Sequence, residues 1–313
     1  MLTLDAGEVA ARLDRVRLID ALERAFRSDF HAPARQHYGI GASDHGRNLL
    51  LLMPAWRTKR CIGVKLVTVF PDNSRHGKPA VHASYTLFDA ADGRPLAVFD
   101  GTELTRRRTA AASALAARHL ARSEASRLLM EGTGSLAPHI IDTYTADRPI
   151  AAVRVWGRTP GRAQAIALGF AGRRFDIEAT ADLEAGVRWA DIISCATLAS
   201  TPLVLGQWLH PGQHVDLIGA FTPQMREADD AALVRSRIYV DTREGAMAES
   251  GELAHALAGG HITAASICGD LPELTRGAVP GRRTEEEITL FKSVGCAIED
   301  LAAAELALGR EPG

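Results

Sequence analysis

No run in this sequence approaches the ~18 consecutive apolar residues needed to cross a bilayer, and the opening, MLTLDAGEVA, lacks the basic start and apolar stretch of a secretory leader. The expected location is therefore the cytoplasm, with no membrane partner. Cysteine is scarce: Cys61, Cys195, Cys268 and Cys296 are scattered without a C-x-x-C pair, which points to reduced core thiols rather than a zinc site or a disulfide frame. Neither charge sign is in excess, because 36 Lys and Arg face 38 Asp and Glu and leave a net charge of -2, so no global basic field exists for nucleic acid. Internal repeats and low-complexity tracts are missing as well.

What is present is an ordinary globular composition, 46% hydrophobic and 24% charged over 313 residues, a length that predicts two domains. Asp5 with Glu8 forms a candidate capping box ahead of Val9, Leu13, Val16, Leu22 and Phe26, so one or two helices open the chain. The runs at 49–53, 61–70 and 81–90 are apolar or β-rich and broken by Pro54, Pro71-Asp72-Asn73 and Pro79, and Asp92-Gly93 predicts a hairpin over 83–100. The first hundred residues thus read as α+β with an antiparallel sheet. From Thr102, a candidate cap, an alanine-rich helix bridges to a region where strands alternate with helical patterns, which means a doubly wound parallel sheet. Thr284 and Glu287 make a second capping box before Ile288, Phe291, Val294, Ile298 and Leu301, so the chain is expected to end as an amphipathic helix that leaves the second domain and packs on the first. The expected division is 1–120 with 284–313 as one domain and 121–283 as the other.

The cofactor signal is Gly132-Thr133-Gly134-Ser135-Leu136-Ala137, a G-x-G-x-x-A turn preceded by apolar SRLLM and followed by a helix-like run. In that setting Gly132 makes the tight turn, Gly134 lets backbone approach a pyrophosphate, and Ala137 lets helix pack on strand. Glu131 is an oddity, since a carboxylate beside a phosphate site is electrostatically unhelpful. The next strand ends without the Asp or Glu that binds ribose hydroxyls in NAD-specific proteins; Gly157, Arg158 and Thr159 stand there, with Arg162 a turn later. A guanidinium suits a 2′-phosphate, so NADPH is favoured and NADH is the weaker option.

Lys65 interrupts the apolar strand GVKLVTVF and shares a face with Gly63, Val67 and Val69, so its ammonium needs an anionic partner. Arg106, Arg107 and Arg108 lie about 100° apart around the bridging helix. Arg108, beside Thr109 and small residues, is the one expected to turn inward.

The series LLLMPAW, GVKLVTVFPDN, DGTELTRRRTAAASALAARHLA, GTGSLAP, VRVWGRTP and FKSVGCAIEDLAAA resembles the ornithine cyclodeaminase and mu-crystallin family along nearly the whole chain. The resemblance implies a Rossmann domain, an α+β substrate domain, a homodimer, and an α-imino or α-amino carboxylate substrate. It matches Lys65 to the active-site lysine, Arg108 to a carboxylate-binding arginine and Arg35 to a second one, for which Arg47 competes. It also places Ser293 and Gly295 near the nicotinamide. With the glycine turn, Gly157, Arg158 and Thr159, the expected cofactor contacts are Thr109, Ala196, Thr197, Gly219, Phe221 and Ser293.

Two departures refine the expected activity. True cyclodeaminases resemble G-G-D where this chain has Gly219-Ala220-Phe221, and a phenyl ring can neither take a proton nor position water. Ala80 replaces a substrate-contacting threonine. The segment G-A-F-T-P-Q-M-R-E looks like the reductases of Δ1-pyrroline-2-carboxylate and Δ1-piperideine-2-carboxylate. The expected function is thus NADPH-dependent reduction of a cyclic imino acid to L-proline or L-pipecolate. Ornithine cyclodeaminase, an alanine-dehydrogenase-like enzyme and a non-catalytic NADPH-dependent binder are the alternatives. His82 is a candidate proton relay. His210 and His214 have helix-ligand spacing, but Pro211-Gly212 between them argues against a metal site.

Overall fold

In the computed structural model residues 1–43 and 46–310 are described, and the side chains at 42–47, 74 and 75, Arg47 among them, lie outside that description. In chain order the elements begin β1 (Leu2–Leu4), α1 (Ala6–Arg12), α2 (Arg15–Arg27), β2 (Gln36–Ser43), β3 (Gly46–Arg57), β4 (Cys61–Val69), β5 (Val81–Asp89), β6 (Pro95–Asp100) and α3 (Gly101–Leu120). Next come β7 (Arg127–Glu131), α4 (Ala137–Asp147), β8 (Ala152–Trp156), α5 (Pro160–Gly169), β9 (Asp176–Ala179), α6 (Leu183–Trp189), β10 (Ile192–Cys195) and β11 (His214–Leu217). The chain finishes with α7 (Asp230–Val234), β12 (Arg237–Val240), α8 (Arg243–Glu249), α9 (Gly251–Ala258), β13 (Ile267–Asp270), α10 (Leu271–Thr275), β14 (Thr289–Lys292) and α11 (Ala297–Ala307).

The chain divides into two compact units, one formed by Met1–Thr109 and Cys296–Gly313, the other by Ala110–Gly295. These boundaries differ from those read off the sequence, because α3 from Ala110 onward, β14 and the loop after it go with the second unit.

In the first unit, among the described residues, a six-stranded sheet runs β1-β6-β5-β4-β3-β2. Its neighbours are antiparallel except β1, which lies parallel to β6. The Asp5–Glu8 capping box forms as the sequence suggests. At the β5–β6 hairpin Gly93 takes a positive φ of 77°, the conformation only glycine adopts without strain. Asp100, rather than Thr102, caps α3: its Oδ1 accepts from the Glu103 N–H at 2.7 Å. A residue at the end of a strand is already extended, as a helix cap must be, whereas Thr102 is already in the first turn. Helix α2 buries Leu18, Ile19, Leu22 and Phe26, and α11, buried along its whole length, packs on α2, β3 and β4. Each such aliphatic side chain contributes about 1.5–3 kcal/mol on leaving water.

In the second unit an all-parallel eight-stranded sheet, counted among the described residues, runs β13-β12-β14-β11-β10-β7-β8-β9. Separate apolar clusters, one around Leu129, Ile193, Val215 and Leu290, the other around Leu128, Met130, Ile140 and Val153, pack it. The strand order reverses between β7 and β10, and in such sheets the crevice beyond the carboxyl ends at that point is where ligands bind. Strand β14 corrects the reading of 284–301 as one helix. A central parallel strand is buried on both faces, so its four residues form a continuous buried run with no period-2 signal, while the helix proper starts at Ala297.

Candidate active site

In the first unit Lys65 sits mid-strand in β4, 2% exposed, and its Nζ donates to Asp300 Oδ2 of α11 at 2.7 Å. The anion that the sequence demanded is therefore Asp300. Arg108, on α3, donates through Nε to Asp300 Oδ1 at 3.2 Å and through Nη1 to Glu299 Oε2 at 2.5 Å. Asp300 thus joins the two cations, and protein carboxylates take one nitrogen from each forked edge of Arg108, leaving Nη2 for a substrate carboxylate. Burial pushes Lys65 down to about 8; Asp300 holds it up, while the charges of Arg108 and Arg35 work in the opposite direction. For Arg108 burial again works against the charge, but Asp300 and Glu299 overcome it and raise the group above its ordinary value. Arg35, just ahead of β2, is close enough for its charge to act on Lys65. His82 is corrected: it is exposed and pairs with Thr68, whereas Lys65 pairs with Tyr85, so alternation puts His82 on the sheet face opposite Lys65.

In the second unit a cleft of about 490 Å³ opens at the carboxyl ends of β7, β8 and β10. Gly132, Thr133, Gly134, Gly157, Arg158 and Thr159 line it, as do Ala196 and Thr197. Gly132 has φ 117°, and a Cβ there would meet Ala196 O at 2.4 Å. A Cβ on Gly134 would meet nothing within 4 Å, which leaves open space at the point where a pyrophosphate approaches backbone. These features fit a dinucleotide. Ala137 lies buried at the start of α4, with Ser135 and Leu136 in the turn before it. Arg162 lines the cleft and no Asp or Glu does, among the described residues. The wall from Leu198 to Thr201, with Leu203, was not legible as a site. Thr109, on α3, belongs to the first unit, and Ser293 is buried with its N–H on Leu217 O. Phe221 is exposed, two residues past Gly219, where a Cβ would lie 1.9 Å from Thr197 O.

Behind the cleft lies a group of buried acids. Glu131 turns away from the glycine turn and accepts from Cys195 Sγ at 3.2 Å; burial, with Glu227 adding to it, pushes its carboxyl up to about 8. Glu227 Oε1 accepts from the Thr197 N–H at 2.6 Å and from its hydroxyl at 2.8 Å, and Oε2 accepts from the Gly219 N–H at 2.6 Å. Sequence reasoning missed Glu227 as it missed Asp300 and Glu299; the only signal for the latter two was the acids, with Glu305, in an otherwise apolar helix.

The sequence profile of the "Ornithine cyclodeaminase/mu-crystallin family" matches residues 1–310. Delta(1)-pyrroline-2-carboxylate reductase of Paracoccus denitrificans is 45% identical over 251 residues, 80% of this chain and 79% of the relative. The structure of Thermococcus litoralis Delta(1)-pyrroline-2-carboxylate reductase in complex with NADH and L-proline matches at a TM-score of 0.93 and 31% identity, covering 99% of this chain and 97% of that one. An archaeal alanine dehydrogenase dimer with bound NAD matches at a TM-score of 0.91 and 29% identity, covering 99% and 95%. With the glycine turn, the cationic cluster on β4 and α3 and the profile all in agreement, the chain belongs to the ornithine cyclodeaminase/mu-crystallin family.

Proposed function

We propose that this protein is a reductase of cyclic imino acids, converting Δ1-pyrroline-2-carboxylate or Δ1-piperideine-2-carboxylate to L-proline or L-pipecolate with NADPH, and NADH less well, as a homodimer in the cytoplasm. The observation that carries the reading is the buried Lys65 ammonium, held by Asp300 and flanked by the charges of Arg108 and Arg35. A buried cation is costly to keep, and a cationic cluster of this kind matches a substrate that is both a carboxylate and an imine. The Paracoccus and Thermococcus relatives bear the same activity in their names.

When bound, a reduced nicotinamide supplies hydride. The chain's own part begins with the substrate carboxylate, which Arg35 and the Nη2 edge of Arg108 hold. As the C=N bond becomes CH–NH, Lys65 donates a proton to the ring nitrogen and Asp300 keeps it charged beforehand. No carboxylate stands in the Gly219-Ala220-Phe221 turn to activate water, which favours simple reduction over cyclodeamination.

Arg158 and Arg162, in a cleft lining without carboxylates among the described residues, support NADPH. Cys61, Cys195, Cys268 and Cys296 form no disulfide among the described residues, in keeping with a reducing compartment. In the first unit Tyr38, Ile62 and Leu66 share one sheet face and are 36–46% exposed, which supports a second copy covering them. We accordingly assign substrate binding and dimerisation to the first unit and the cofactor to the second.

The test follows NADPH absorbance with each imine, and beside it ammonia release from ornithine with NAD+, and NADH consumption with pyruvate and ammonia. Rapid NADPH loss with the imines and no ammonia release is expected. Ammonia from ornithine would overturn the reading in favour of the cyclodeaminase, and turnover confined to pyruvate in favour of the alanine dehydrogenase.

A further inference from the structure

Glu227 lies in the loop ahead of α7, fully buried and outside the chemistry just described. Its carboxylate fastens two separate loops: Oε1 holds the N–H and hydroxyl of Thr197, just past β10, and Oε2 holds the N–H of Gly219, just past β11. Its own carbonyl accepts from the N–H groups of Leu203 and Val204, at 2.8 and 2.9 Å, so the same residue also ties down the far end of the cleft wall. Next to it the Arg226 N–H donates to Ala199 O at 2.8 Å. The Glu227 N–H is in turn held by Glu252 Oε1 at 2.8 Å, and Glu252 lies 3.5 Å from Lys292. The fit is tight, since a Cβ on Gly219 would come within 2.4 Å of Glu227 Oε1. Burial pushes the carboxyl up to about 7, with Lys292 opposing and Glu252 adding to it. A buried acid whose two carboxylate oxygens are committed to the loops at Thr197 and Gly219 fixes the geometry of that backbone.

We propose that Glu227 is a positioning residue for the dinucleotide, a single carboxylate that sets the spacing of the Thr197 and Gly219 loops and so shapes the nicotinamide half of the cleft. This rests on the cofactor reading above. The adenosine half, bounded by Arg158 and Arg162 past β8, receives no hydrogen bond from the Glu227 carboxylate, so the two halves respond differently when that carboxylate is altered.

The experiment compares two ligands on the whole protein: NADPH, and its fragment adenosine 2′,5′-bisphosphate, which reaches only the Arg158 side. Glu227→Gln keeps the shape but presents one acceptor where two loops need one each. Its dissociation constant for NADPH should rise about tenfold or more, the loss of one charge-assisted hydrogen bond's worth of positioning, while that of the fragment stays within about twofold. Glu227→Asp, which keeps the charge and loses the reach, should show the same pattern and serves where the glutamine variant does not fold. Unchanged NADPH binding in the folded variants overturns the proposal, and so does an equal loss for both ligands, since that marks a residue that only holds up the fold. Failure of the unsubstituted protein to bind either ligand overturns the cofactor reading itself, a result distinct from the other two.

Discussion

Replacing Asp300 with Asn removes the countercharge 2.7 Å from Lys65 and leaves the positive charges of Arg108 and Arg35 in place. At that separation and an effective dielectric of about 20, the direct attraction is roughly 6 kcal/mol, and screening and local relaxation reduce what reaches the titration. A net loss of about 1.4–2.7 kcal/mol corresponds to one to two pH units at 1.36 kcal/mol each. The sign follows from the charge: Lys65 acts as proton donor when charged, so rate falls as pH rises through its pKa, which burial has already brought to about 8. In Asp300→Asn the falling limb should therefore sit near pH 6–7, roughly one to two units below that of the unsubstituted enzyme. The assay is the pH profile of kcat for NADPH oxidation on one imine. Because the substrate is the same in both enzymes, its own titration cancels in the difference. A folded, active variant whose falling limb coincides with that of the unsubstituted enzyme refutes the role given to the Lys65–Asp300 pair. Stability should fall as well, by about 3–5 kcal/mol, because buried cations lose their partner, so the profile is measured well below the melting temperature.

Four further outcomes are expected. Lys65→Ala and Arg108→Ala should each lower kcat/KM by about 10²-fold or more while NADPH still binds by fluorescence titration, and retained turnover in both would sink the assignment. Arg158→Ala should raise KM for NADPH about tenfold and leave that for NADH nearly unchanged, which steady-state kinetics with both cofactors would check. Gly132→Ala places a side chain at φ 117° and 2.4 Å from Ala196 O, so calorimetry should record lost NADPH binding together with a fall in Tm. Leu66→Asp puts a charge in the middle of the exposed apolar sheet face and should convert a dimer to a monomer in light scattering; an unaltered dimer would assign the interface to another surface.

How much of this was legible in the sequence depends on the range of the signal. The capping box at Asp5, the turn at Asp92-Gly93 and the glycine turn at 132–137 are local patterns whose physics is complete within a few residues, and they could be read directly. The strand β14 could not, because burial on both faces erases alternation and Phe291 and Val294 then fall on a helical period. The need of Lys65 for an anion was readable from its place among valines, but its supplier lies 235 residues further on and only folding brings the two together. Glu227 gave no signal, since a carboxylate that binds backbone N–H groups leaves no pattern in the residue types it binds. Arg108, expected to turn inward, is buried, with its guanidinium shared between Glu299 and Asp300 rather than held open.

The first unit is assembled from both ends of the chain, with its last helix arriving after the whole of the second unit. During synthesis Lys65 and Arg108 therefore emerge nearly two hundred residues or more before the carboxylates that neutralise them. Until α11 is made, those cations have no reason to leave water, and the β4 face that carries Lys65 has no helix to close it. The charged centre therefore cannot be complete until Glu299 and Asp300 have been made, however early β4 and α3 take shape.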